Sequence, residues 1–334
     1  MKTLNINRLL ALILALLMLA SLASCSDKNE FANEEDARTV LTLGKYEVPY
    51  DEYRYLYMNY KQQIDNGDES YWEEHPEREA DLLEYVHDAL LLNYGTLALA
   101  DEYDIKITAE EKASILEIEN ERIASIGSEE AFLLALEGSY MSRRVFRSMI
   151  ELQYIEEKLY NQLTAEMANI IPSDDATVEA DIAKNFVRIQ QIMIINDDGD
   201  DREANRTQAE EILSKLQAGE DFEALMTQYS EDEEILNPID GYYFTHNEFA
   251  LLPGFDELAF GLDIGETSGV YEGPASYHII RRMPLEDDYI NKNFETLRTS
   301  YIARCFYEMI DEAAAGLELR TTELYDSLKL ATMQ

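Results

Sequence analysis

Apolar and polar residues follow different patterns along the chain, and these patterns separate two helical segments from a mixed segment between them. Residues 40–48 alternate and turn at Gly44-Lys45, which predicts two short strands. Tyr53, Tyr57 and Tyr60 then recur at the spacing of one helix face. Apolar spacing predicts further helices at residues 77–103, from a capping box at Thr108, at 128–136 and at 142–167.

The pattern changes after Pro172, where Ser173-Asp174-Asp175 predicts the cap of a new helix. A β-rich run at 187–195 precedes an amphipathic helix at 202–216 and a shorter helix at 222–229. A glycine-punctuated stretch follows and ends in a strand at 277–282. Helical spacing returns from 287 to 329. We therefore predict an α+β fold in which a compact domain is inserted into a mainly α-helical module.

The N-terminus has the parts of a secretory signal. Lys2 and Arg8 precede the apolar run 9–20, which is short for a membrane span and is followed by small residues. Leu22-Ala23-Ser24-Cys25 resembles the bacterial lipobox, which implies a lipoprotein signal peptide at 1–24 and a lipid on Cys25. An ordinary signal peptide is the alternative. The polar, acidic residues 25–36 predict a flexible tether.

The charge balance excludes one class of partner. The chain has 68 Asp and Glu residues against 27 Lys and Arg, a formal net charge of −41, so nucleic acid is repelled. Its two cysteines and four scattered histidines form no zinc pattern, and the acidic run 196–201 lacks the spacing of a calcium loop. We expect no metal and no cofactor. With Cys25 lipidated, Cys305 has no partner for an intramolecular disulfide.

Four blocks resemble the parvulin-type peptidyl-prolyl isomerase domain, also called PpiC or rotamase. In order they are Val187-Arg188-Ile189-Gln190-Gln191-Ile192-Met193-Ile194, the helix–Gly–helix run 209–230, Asp240-Gly241-Tyr242-Tyr243-Phe244 with Leu252-Pro253-Gly254-Phe255-Asp256-Glu257-Leu258-Ala259-Phe260, and Gly265-Glu266-Thr267-Ser268-Gly269-Val270 running to Tyr277-His278-Ile279-Ile280. Each block alone is weak, but their shared order and spacing are specific. The resemblance implies a four-stranded antiparallel sheet with surrounding helices at 186–285.

The flanks resemble the PrsA and SurA foldases. Residues 40–57, with Gly44 and Asp51-Glu52-Tyr53, are similar to the start of their chaperone module. This implies a chaperone module at 37–170 and a C-terminal helix at 286–334 that returns to it. The tyrosines of the first long helix fit either the core of this module or a client-binding surface, and their spacing favours the core.

The parvulin resemblance implies a proline pocket and a set of polar positions. Phe255 and Leu251 match the pocket, Phe260 packs behind it, and Tyr242 lines it. Phe255 and Phe260 also fit plain core positions; the motif favours the pocket for Phe255, and the core is favoured for Phe260.

Asp232, His278 and Gln191 match the catalytic polar positions, but Gln191 stands where the family has the first of two histidines. An amide forms hydrogen bonds but cannot share a proton as an imidazole does, so the polar network must differ from the family's.

The resemblance implies an extracytoplasmic foldase, held at the cell membrane by its lipid, that isomerises X–Pro bonds and chaperones secreted proteins. Its partners would be unfolded or partly folded secreted chains. The alternative is a non-enzymatic holdase with a degenerate parvulin domain, which Gln191 favours. A solute-binding lipoprotein would need a repeated β-α-β texture that the sequence lacks. The sequence leaves open whether the protein is a monomer or a homodimer.

Overall fold

The computed structural model describes residues 37–68, 70–165, 169–196, 201–232, 241–246, 252, 254–273, 275–328 and 333. The predicted signal peptide, the tether, Cys25 and Leu251 lie outside these residues. By its internal contacts the chain divides into two units. We call residues 171–305 the central unit, and the described residues up to 170 and from 306 onward the helical unit.

In chain order the described elements are β1 (Thr39–Leu43), β2 (Tyr46–Pro49), α1 (Tyr50–Asp65), α2 (Tyr71–Glu74), α3 (Arg78–Glu102), α4 (Ala109–Ile126), α5 (Glu129–Gly138), α6 (Arg143–Leu163), α7 (Asp175–Asn185), β3 (Phe186–Ile195), α8 (Arg202–Gln217), α9 (Phe222–Tyr229), β4 (Tyr242–Thr245), α10 (Phe255–Gly261), β5 (Tyr271–Glu272), β6 (Ser276–Met283), α11 (Asp287–Ala315), β7 (Leu319–Thr321) and α12 (Glu323–Ser327). The mixed α+β fold class predicted from the sequence is confirmed. The helix caps predicted at Thr108 and Asp174 are also present.

The helical unit buries one face of α1 against α3. Tyr53 and Tyr57 of α1 are almost fully buried together with Leu82, Val86 and Leu90 of α3. The tyrosine spacing therefore marks a core face, as the sequence favoured. Beside this core, β1 pairs with β2 and β7 in a three-stranded antiparallel sheet.

The last turns of α11 pack closely on α3 within the helical unit. A Cβ added to Gly95 would lie 2.8 Å from both the backbone oxygen of Ile310 and the Cβ of Ala314. This distance is shorter than ordinary van der Waals contact, so only glycine fits at this position without a shift of α11.

The helix predicted for 287–329 is wrong beyond Ala315. The chain instead forms β7, in which Thr321 pairs with Leu41 and Leu319 pairs with Leu43 of β1. Thr322 then caps α12 by accepting a hydrogen bond from the backbone N–H of Tyr325. A three-residue strand has no periodicity of its own, and the backbone hydrogen bonds to β1 decide its conformation.

The central unit holds a four-stranded antiparallel sheet of order β4-β3-β6-β5, as predicted. Because successive side chains of a strand point to opposite sides, each strand contributes side chains to both faces of the sheet. On one face, Ile192 and Ile279 pack with residues of α8 and α9. On the other face, Ile189 and Ile280 pack with Phe255 of α10. The sheet is thus covered by helices on both faces.

This unit extends beyond the predicted domain limits of 186 and 285, since it includes α7 and the first turns of α11. Side chains of α11 hold the segment around α7. Arg304 forms an ion pair with Asp181 at 2.5 Å, and the Tyr301 hydroxyl donates to the backbone oxygen of Pro172 at 2.6 Å. The narrower limits stay a prediction for the parvulin-like part alone.

Candidate functional site

The register of β3 and β6 brings two predicted site residues together. Met193 lies opposite His278 in the ladder, and Gln191 is two residues away on the same strand face as Met193. The side chains of Gln191 and His278 therefore share the face that α10 covers. A hydrogen bond of 3.0 Å joins His278 Nδ1 to Gln191 Oε1.

This bond is part of a longer chain of polar side chains. Gln191 Nε2 donates to Asp232 Oδ2 at 2.5 Å, and the Tyr242 hydroxyl donates to the same oxygen at 2.8 Å. At the other end, a hydrogen bond of 2.7 Å joins His278 Nε2 to Ser276 Oγ. We call these five residues, Ser276, His278, Gln191, Asp232 and Tyr242, the polar chain.

The two parts of the polar chain differ in their access to water. His278 is buried, and burial lowers the pKa of its imidazole to about 4, although the nearby Asp232 opposes this shift. The imidazole is therefore neutral at neutral pH. Asp232 and Tyr242 are half-buried. The buried His278 is thus linked by hydrogen bonds through Gln191 to the side chains of Asp232 and Tyr242, which are partly exposed to solvent.

An aromatic cluster lies against the imidazole. Phe255 begins α10, and its ring centroid is 5.3 Å from that of His278 and 5.4 Å from that of Tyr271. Phe255 is only 1% exposed, so its ring belongs to the core in this structure. Half-buried apolar side chains, Tyr242, Leu252, Phe260 and Tyr271, surround this core on the same face.

The structure thus brings together most of the residues that the sequence singled out, namely Gln191, Asp232, Tyr242, Phe255 and His278. Phe260 packs edge-on to Phe244, and the ring of His246 stacks on it at 3.7 Å. Leu251, the other predicted pocket residue, lies outside the described residues.

Sequence reasoning missed Ser276 and Tyr271. Ser276 had a usable signal, because residues two apart on a strand share a face and His278 follows two residues later. Tyr271 had none. It lies opposite His278 across the β5–β6 pair, and that register depends on the fold.

Two further features bear on the kind of site. Among the described residues, no group of three or more His, Cys, Asp or Glu side chains is placed to hold a metal ion. Within the same part of the chain, no helix is both long and apolar enough to cross a membrane.

Comparison with known proteins identifies the domain that carries this site. Residues 189–284 match the family model described as Rotamase, the PPIC-type PPIASE domain. Residues 189–284 form a parvulin-type domain. Gln191, Asp232, Tyr242, Phe255 and His278 all lie within the matched part of the chain.

Relatives extend the similarity beyond the parvulin-type domain. The foldase protein PrsA of Caldanaerobacter subterraneus subsp. tengcongensis is 26% identical over 286 residues, which cover 82% of each chain. The chaperone SurA of Hydrogenovibrio crunogenus is 26% identical over 166 residues, 48% of this chain. That match spans only 36% of the SurA chain.

A solved structure is also similar. The crystal structure of PrsA from Bacillus subtilis has 18% identity, covers 88% of this chain and 94% of its own, and gives a TM-score of 0.28. The chain thus contains a parvulin-type domain and is similar in sequence to the foldase PrsA and the chaperone SurA.

Proposed function

We propose that this protein is an extracytoplasmic, membrane-anchored foldase. Its parvulin-type domain would catalyse cis/trans isomerisation of X–Pro bonds, and its helical unit would chaperone unfolded secreted proteins. The observation that carries the proposal is the polar chain, which ends in the accessible Asp232 and Tyr242 beside an aromatic cluster. Relatives named foldase and chaperone support it.

The reaction makes modest demands on such a site. Rotation about an amide has a barrier of about 18–20 kcal/mol, and an unaided X–Pro bond isomerises in tens to hundreds of seconds. No covalent bond to the substrate has to form. A surface that takes the proline ring out of water, beside oriented polar groups, can favour the twisted amide over both planar states. We assign the proline ring to the half-buried apolar side chains beside Tyr242, with Leu251 and Phe255 as the predicted pocket residues.

Gln191 is compatible with this chemistry. Its amide has an acceptor at one end and a donor at the other, and it uses them to link His278 to Asp232. It cannot relay a proton, but rotation about the X–Pro bond requires no net proton transfer. We therefore propose that Gln191 keeps Asp232 in place where a histidine would do so in the family.

A non-enzymatic holdase is the alternative, and one observation favours it. The ring of Phe255 is buried among Phe244, Tyr271 and His278 rather than exposed in a pocket that a substrate could enter. In that case the domain would serve only as a binding or structural module. Phe255→Ala would not decide the matter, because losing a buried aromatic ring costs about 3–5 kcal/mol of folding free energy.

Refolding of a client protein separates the two functions. The experiment uses a client protein whose refolding has a slow phase limited by prolyl isomerisation. Catalytic amounts of the unlipidated chain from residue 26 should accelerate that phase. Asp232→Asn should reduce the acceleration about tenfold, equivalent to about 1.4 kcal/mol of transition-state stabilisation. Asp263→Asn is the matched control, since Asp263 is an exposed aspartate of the same domain and should leave the rate unchanged.

The holdase alternative predicts a different outcome for the same samples. The wild-type chain would suppress aggregation of the client and leave its slow phase unchanged. Equal acceleration by wild type and Asp232→Asn would mean that Asp232 has no part in the site.

A further inference from the structure

The polar chain has a direction that follows from the chemistry of its members. The side-chain oxygen of Gln191 can only accept, so the hydrogen bond at 3.0 Å requires a proton on His278 Nδ1. A neutral imidazole carries one N–H, so its Nε2 is then an acceptor. The Ser276 hydroxyl, 2.7 Å away, must therefore donate to Nε2.

The same direction holds at the accessible end. Gln191 Nε2 and the Tyr242 hydroxyl both donate to Asp232 Oδ2. The opposite direction would turn the amide oxygen of Gln191 toward the carboxylate, placing two acceptors face to face. A carboxylate at Asp232 therefore fixes the orientation of the Gln191 amide, and this orientation fixes the tautomer of His278.

We propose that Ser276 is a positioning residue that acts on Asp232 through His278 and Gln191, with His278 held as the Nδ1–H tautomer. This role rests on the proposed isomerase activity. Ser276 is nearly buried, at 9% exposure, and His278 is 2% exposed. Without the hydroxyl, Nε2 is a buried acceptor with no donor from this position. The imidazole then loses one of the two hydrogen bonds that hold its plane, and the Gln191 amide loses its fixed support.

Nitrogen NMR of the labelled imidazole tests the direction of the chain. At neutral pH we expect a protonated, pyrrole-type Nδ1 and an unprotonated, pyridine-type Nε2 on His278. A protonated Nε2 would overturn the proposal, because the polar chain would then run the other way. The measurement uses the full unlipidated chain and does not depend on catalysis.

Three variants then test the positioning role. Ser276→Ala should shift the Nε2 resonance and lower kcat/KM for a prolyl peptide about tenfold, which corresponds to about 1.4 kcal/mol. Ser276→Thr keeps a hydroxyl and should recover most of this loss. Ser214→Ala is the control, since Ser214 is an exposed serine of α8 whose hydroxyl donates within its own helix to Glu210 O. It should leave the His278 resonances and kcat/KM unchanged.

The outcomes distinguish this proposal from the function on which it rests. A wild-type chain that exchanges no prolyl bond refutes the proposed function and, with it, the positioning role, while the tautomer still decides the direction of the chain. An active wild type and an equally active Ser276→Ala with a shifted Nε2 resonance refute the positioning role alone.

Discussion

His278 couples the site to the stability of the central unit. The pKa of its imidazole is about 4 in the folded protein, against about 6.5 for an unperturbed histidine. Between these values the unfolded chain binds a proton that the folded chain does not. Stability therefore rises with pH across this window, and acidification through it removes on the order of 3 kcal/mol.

We expect a variant without this imidazole, His278→Gln, to lose that part of the pH dependence. Amide hydrogen exchange in β3 and β6, measured from about pH 6.5 down to about pH 4, reports the opening free energy of the central sheet. The slope against pH should be smaller in the variant than in wild type, whatever their absolute stabilities. Equal slopes would mean that His278 is protonated in the folded state over this range.

The sequence identified Gln191, Asp232 and His278 because motifs of a known family place them, and the structure brings these three side chains together. Their hydrogen-bonded order could not be predicted, because the link between β3 and the segment at Asp232 is a tertiary contact. The sequence left a core position open for Phe255 but could not predict its packing partners. This packing depends on aromatic side chains from other strands, and the motif gives only the position.

At the scale of elements, local chemistry predicted where helices begin better than where the last one ends. The cap at Thr108 could be predicted because it depends on residues only three apart. The side chains of Thr108 and Glu111 each accept a hydrogen bond from the other residue's backbone N–H. The end of α11 at Ala315 could not be predicted, since the following residues form β7 only by pairing with β1, nearly 280 residues away in sequence. A strand that forms only by pairing with a distant segment has no clear pattern in its own local sequence.

Gly95 gives a test of how closely α11 packs on α3. Gly95→Ala should lower the free energy of unfolding of the helical unit by about 1–3 kcal/mol, because its Cβ would overlap Ile310 and Ala314. Gly138→Ala is the matched control, since within the described part of the chain a Cβ added there meets no atom outside its own helix backbone and chain neighbours within 4 Å. We expect it to be neutral or to stabilise the helical unit by up to about 1 kcal/mol.

The chain contains a single tryptophan, Trp72, which is buried in the helical unit and donates to Asp65 at 2.7 Å. Its fluorescence therefore follows urea unfolding of this unit specifically. Equal midpoints for Gly95→Ala and Gly138→Ala would show that α11 does not pack on α3 as described.

At the scale of the whole molecule, the sequence predicted the alternation of a helical segment, a parvulin-type domain and a returning segment. The family match covers only 189–284, because the parvulin motifs end there. The compact central unit is larger, since Arg298 and Arg304 of α11 form ion pairs with Asp175 and Asp181. The sequence motifs mark only the matched part of the domain, whereas these ion pairs form only in the folded chain.

The predicted anchor belongs to this scale as well. We expect the mature protein to partition with membranes and to carry the mass of a lipid on Cys25. Cys25→Ser should release the protein or leave the signal peptide uncleaved, and Cys305→Ser is the matched control that should do neither. Mass spectrometry and membrane fractionation check both variants. A wild-type protein recovered from the medium with unmodified Cys25 would contradict the anchor.

The central claim is that a parvulin-type site with Gln191 in place of a histidine still catalyses prolyl isomerisation. Magnetisation exchange between the cis and trans forms of a proline peptide, in the presence of catalytic amounts of the unlipidated chain, measures this directly. We predict accelerated exchange in wild type, equal or faster exchange in Gln191→His, and slower exchange in Gln191→Glu, which removes the donor to Asp232 and faces it with a like charge. A folded wild-type chain that binds the peptide and leaves its exchange at the uncatalysed rate would contradict the account.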